Sequence, residues 1–72
     1  MPPEGQSALA MLTPRERQVL GHLVAGRTNA AIARDLFISD KTVSVHVTNV
    51  LRKTGTASRI EAANLALRLG QT

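Results

Sequence analysis

Five residues at helical spacing carry the most specific chemistry in this 72-residue chain: Lys41, Ser44, Val45, Thr48 and Arg52. At about 100° per residue they fall on one side of a helix. That side has a cation at each end, short hydroxyl groups between them, and no acid. Cations of this kind neutralise phosphates, hydroxyls bond to base edges, and a nucleic-acid major groove admits one helix. Val45 fits the same surface by touching a thymine methyl group, although a lone surface valine is also ordinary. Other chemistry is sparse. His22 and His46 lie 24 positions apart in separate helical segments, with no cysteine or carboxylate constellation beside them. Asp35 and Asp40 suit charge balance and helix capping. No catalytic group, metal-ligand set or cofactor site is expected, and the chain does not read as an enzyme.

The elements that must position this face are marked by their caps. Thr13-Pro14-Arg15-Glu16 combines a capping hydroxyl, proline at the first helical position and a glutamate that reaches back to the cap. Val19, Leu20, Leu23 and Val24 follow at helical spacing, and Gly26 closes the run. Thr28 opens a second helix with Ile32, Ala33 and Leu36 on one face. Leu36, Phe37 and Ile38 are expected to anchor the bend after it. Ser39-Asp40 caps the third segment, whose VSVHV alternation also suits a strand. Val43, Val47, Val50 and Leu51 form a stripe at a period of about 3.6, so the helix is preferred. Ser58-Arg59-Ile60-Glu61 is a further capping box, and Gly70 ends the last helix. The expected fold is all-α: four helices near residues 14–25, 29–36, 40–53 and 59–69, with the second and third forming a helix-turn-helix. Residues 1–7 read as a linker or cloning remnant, and residues 8–72 as the domain, with Ala8 to Leu12 a lead-in packed on it.

Bulk properties agree with this frame. Seventy-two residues make one domain, which buries only about 60% of the surface its unfolded chain exposes. Without cysteine no disulfide staples it, which fits a reducing cytoplasm. No apolar run reaches the roughly 18–20 residues of a membrane span. The net charge of +4 is unevenly placed. Arg15, Arg17, Arg27 and Arg34 balance Glu4, Glu16, Asp35 and Asp40, whereas Lys41, Arg52, Lys53, Arg59 and Arg68 face Glu61 alone. The excess lies in the half that carries the reading face, where a polyanion would be held.

The span LTPRERQVLGHLVAGRTNAAIARDLFISDKTVSVHVTNVLRKTG resembles the C-terminal domain of LuxR-type (also called GerE- or NarL-type) transcription regulators. The matching residues include Leu12-Thr13, Arg15-Glu16, Val19-Leu20, Gly26, Asn29, Ile32-Ala33, Leu36, Ile38-Ser39, Thr42-Val43, His46-Val47, Lys53, Gly55 and Ser58-Arg59. The resemblance implies a dimeric bacterial regulator bound to double-stranded DNA at a two-fold inverted repeat. It implies base reading by Ser44, Val45 and Thr48, and backbone contacts from Asn29, Lys41, Thr42, His46, Arg52 and Lys53. It also implies that control resides in an N-terminal receiver, ligand-binding or ATPase domain. The chain then reads either as a fragment or as a small stand-alone regulator. Four positions depart from the common pattern. Ser44 and Thr48 stand where many members have lysine, Ala31 replaces a glutamate, and Thr54 replaces a leucine.

The fourth helix is apolar around about 200°, more than one small core requires. Ile60, Ala63 and Leu67 are expected to face the core. Ala62, Leu65, Ala66 and Leu69 are then left for the dimer interface that the resemblance implies. Two alternatives share parts of this pattern. A sigma-factor region-four module has a similar LTPRER-like opening and helix-turn-helix but lacks the apolar 60–69 segment. A helical protein-interaction module would use that segment and leave the basic face incidental.

Overall fold

Thr13 fixes where the first helix begins. Its backbone is extended (φ −68°, ψ 162°), and its side-chain oxygen accepts from the Glu16 N–H at 3.1 Å. The Glu16 carboxylate accepts in return from the Thr13 N–H at 2.9 Å, so the box closes with Pro14 inside it. The computed structural model describes residues 9–70, and the expected linker at residues 1–7 lies outside them. Four helices follow the lead-in: α1 (Pro14–Val24), α2 (Asn29–Leu36), α3 (Asp40–Thr54) and α4 (Arg59–Arg68). No strand occurs among the described residues. The fold is therefore all-α, and the ambiguous VSVHV stretch is helical.

Each later helix starts on a hydroxyl. Thr28, Ser39 and Ser58 accept from Ala31, Thr42 and Glu61 N–H groups at 3.1, 3.1 and 3.2 Å. Thr28 has no reciprocal partner because residue 31 is alanine. Glu61 reaches one residue past its cap and accepts from the Ala57 N–H at 2.9 Å. Gly55 ends α3 at φ 68°, a left-handed conformation that costs glycine least.

The bend between α2 and α3 departs from expectation. Phe37 does not anchor it: the ring is 93% exposed. The residue occupies the left-handed position (φ 57°, ψ 44°) that closes α2, and this backbone turns its side chain away from the core. Ile38 turns back, its N–H bonding to the Ala33 carbonyl at 3.0 Å and its side chain packing on the core beside Leu36. A non-glycine residue in this conformation costs roughly 1–2 kcal/mol. Phe37→Gly is therefore expected to stabilise the domain by about 1 kcal/mol, part of the gain being offset by unfolded-state entropy. Thermal unfolding followed by circular dichroism should show a midpoint roughly 4–8 °C higher. An unchanged or lower midpoint would show that the ring contributes packing.

The core is built from all four helices. Val19 and Leu20 of α1, Ile32 of α2, and Val43 and Val50 of α3 are fully buried. Each contributes about 1.5–3 kcal/mol by leaving water. Leu9 and Leu12 of the lead-in join them. The fourth helix presents the opposite face from the one expected. Ala62 and Ala66 are 1% and 0% exposed, and Leu69 packs beside them, whereas Ile60 and Leu67 are 71% and 53% exposed. Ala62 and Ala66 are thus core residues and are unavailable to a partner. The reason is close approach: α4 packs chiefly on α1, and alanine lets two helix axes come near where leucine would hold them apart.

Candidate nucleic-acid interface

Helix α3 is held from below by Val43 and Val50, with Val47 and Leu51 packed at the margins. Its other side is open. Lys41, Ser44, Val45, Thr48 and Arg52 are exposed, and the first four line a shallow depression together with Asn49. Val45 is 54% exposed between the two hydroxyls. Asn49 had not been expected here. Its neighbour Arg52 donates to its Oδ1 at 3.4 Å, which leans the guanidinium along the helix. The i, i+3 spacing was the only sequence signal for that contact.

The remaining expected site residues divide by what they already bind. Thr42 is exposed at the start of α3, its hydroxyl 2.9 Å from the Ser39 hydroxyl. His46 is half-buried on the flank. Asn29 lies at the first position of α2, and both ends of its amide are engaged, by Arg59 and by Ser44. Lys53 is the clearest change of meaning. Its ammonium pairs with Glu16 at 2.7 Å and reaches the Met11 carbonyl at 3.4 Å, and its side chain is only 19% exposed. The Lys53 hydrogen bond is the largest influence holding the Glu16 carboxyl below its ordinary value; burial opposes it, and the Thr13 N–H adds to it. The charge of Lys53 is consumed inside the fold.

Cations on the open face of α3 are differently placed. Among the described residues neither Lys41 nor Arg52 forms an ion pair. Asp35, on α2, is instead paired with Arg27, with His22 Nδ1 at 4.0 Å. No group of acids, histidines or cysteines among the described residues could hold a metal ion. No described helix is long and apolar enough to cross a membrane.

Two helices joined by a tight turn, the second with an uncovered face of cations and hydroxyls, define a helix-turn-helix DNA-binding domain. Residues 10–66 match the family described as bacterial regulatory proteins, luxR family. The chain belongs to that family, whose domains bind DNA in transcription regulators and are not enzymes. It is 44% identical over 61 residues to the spore germination protein GerE of Bacillus subtilis, covering 85% of this chain and 82% of that protein. It is 45% identical over 62 residues to the transcriptional regulatory protein FixJ of Bradyrhizobium diazoefficiens, covering 86% of this chain and 30% of FixJ. The transcriptional regulatory protein LiaR of Bacillus subtilis is 42% identical over 66 residues, covering 89% and 31%. The chain thus spans most of GerE but less than a third of FixJ and LiaR. Family membership decides against the sigma-factor and protein-interaction alternatives.

Proposed function

We propose that α3 enters the major groove of double-stranded DNA and that two copies of the chain occupy an inverted-repeat site. The observation that carries this is the α3 face that the described residues leave uncovered: hydroxyls and a valine methyl pair at its centre, and at its ends cations that form no ion pair among the described residues. Ser44, Val45 and Thr48 are the base-reading residues. Lys41, Arg52, Thr42 and His46 fix register through the phosphates, and Lys53 acts on the fold instead. A protein working on bacterial DNA acts in the cytoplasm. Selection of bound duplexes from a random pool tests the proposal. A recovered motif with two inverted half-sites supports it, and retention of no duplex, or of all duplexes alike, overturns it.

Pairing of two copies fits the outer edge of α4. Ile60 and Leu67 are exposed and adjoin Ala63, Leu23 and Val24 in one groove, whose polar rim is formed by Arg27, Thr28, Arg59 and Asn64. This edge takes the place of the Ala62–Ala66 face; Leu65 and Leu69 are half-buried at its margin. Leu67→Glu is expected to leave the helical spectrum unchanged while weakening binding to the paired site about tenfold, equivalent to ~1.4 kcal/mol. Binding to an isolated half-site should stay the same. Undiminished preference for paired half-sites would place the dimer contact elsewhere.

A further inference from the structure

Polar contacts around the reading face converge on one amide. Arg59, at the first position of α4, donates from Nη2 to Asn29 Oδ1. Asn29, at the first position of α2, donates from Nδ2 to Ser44 Oγ at 3.2 Å. The three residues come from three helices, and the chain separations are 30 and 15 positions. A free asparagine amide can turn either end toward a hydroxyl. A guanidinium carries donors only, so its bond holds the amide oxygen toward α4 and leaves the nitrogen for Ser44. Asn29 therefore meets the serine only as a donor.

The consequence falls on the one hydrogen that a hydroxyl owns. With Oγ already accepting, that hydrogen is left for a group outside the domain, and an oxygen that accepts one bond donates the next more strongly. In the major groove guanine offers acceptors at N7 and O6, whereas cytosine offers its amino group as a donor. We infer that Arg59 and Asn29 are positioning residues that polarise Ser44 as a donor, so that the base pair beneath it is selected with guanine, not cytosine, on the contacted strand. This rests on α3 being the groove helix. Serine at position 44 then carries sequence information through a hydroxyl whose direction is set two helices away.

Asn29→Asp reverses the polarity by one atom. The carboxylate still accepts from Arg59, and an acid at the first turn suits the helix dipole, so the fold is retained. Its second oxygen takes the serine hydrogen and leaves only lone pairs facing outward. Duplexes are selected from a random pool by the wild type and by Asn29→Asp, Arg59→Met, Arg59→Lys and Ser44→Ala, with the helical spectrum checked for each. At a single position of the half-site, the wild type should favour guanine over cytosine by about 3- to 10-fold, in line with one hydrogen bond. Asn29→Asp should turn that preference toward cytosine whatever its overall loss of affinity. Arg59→Met should flatten it, Arg59→Lys should keep it, and Ser44→Ala should erase it at that position alone. An Asn29→Asp profile identical to the wild type overturns the inference, as does a change spread evenly over the site. Retention of no duplex by the wild type would instead sink the groove reading itself.

Discussion

Glu16→Ala is expected to remove about 3–5 kcal/mol of folding free energy, the loss that follows when one partner of a buried ion pair is deleted. The total for a chain of this size is only roughly 4–11 kcal/mol, so most of it is at stake. The residue is 4% exposed and does two things at once. It closes the cap of α1 and it neutralises Lys53, the last cation of α3. Alanine leaves that ammonium under the lead-in with only the Met11 carbonyl. The chain has no tryptophan or tyrosine, so urea unfolding is followed by far-ultraviolet circular dichroism. Joining Glu16→Leu with Lys53→Met removes both charges into similar volumes and should recover the wild type except for the lost Thr13 cap bond, a deficit of about 1 kcal/mol. A single variant as stable as the wild type would show that Lys53 finds water easily and that the pair is a surface contact.

The same pair gives stability a pH dependence. Glu16 is held below its ordinary value of 4.5, chiefly by the Lys53 hydrogen bond. As pH falls below that value the unfolded chain takes up a proton before the folded chain does. The contribution is thus complete above about pH 4.5 and declines as pH falls toward the folded value. The doubly substituted variant lacks the group, and its stability should fall less steeply over that interval. Parallel curves for the two proteins would assign acid sensitivity to other carboxylates.

What the sequence disclosed, and what it hid, separates along the range of the interactions involved. Caps at Thr13, Thr28, Ser39 and Ser58 act within three residues, and all four helices start where those hydroxyls stand. The α3 valines repeat with a period that only a helix satisfies, so the open face opposite them was equally legible. Helix α4 offered two apolar faces of similar extent. Choosing between them depends on how near α1 comes, and that distance is written in no local pattern. Large side chains looked like core, yet close approach favoured Ala62 and Ala66. Phe37 failed for a related reason: an apolar residue is usually inside, but a left-handed cap decides direction before hydrophobicity can. Lys53 and Glu16 are 37 positions apart, and Arg59 and Asn29 are 30. Such pairs exist only once the helices are assembled, so basic residues with different partners in the fold looked alike along the chain.

That distinction has a measurable form in the salt dependence of DNA binding. If Lys41 and Arg52 each meet a phosphate, a bound pair of chains releases about four counterions, and log K should fall with log[salt] at a slope near −3.6. Affinity for a paired site should then drop about a hundredfold between 50 and 200 mM salt. Lys41→Gln and Arg52→Gln should each flatten the slope by roughly 2, because each removes one phosphate-neutralising cation from both chains, and should weaken all sequences alike. Thr48→Ala and Val45→Ala should leave the slope alone and change which bases are preferred. The charge-free combination of Glu16→Leu with Lys53→Met is the sharpest control. It deletes a cation that sequence resemblance assigns to the DNA backbone but that the fold has already neutralised, so its slope should equal that of the wild type. A slope flattened as much by that combination as by Arg52→Gln would return Lys53 to the phosphates and make its bond to Glu16 one that DNA displaces.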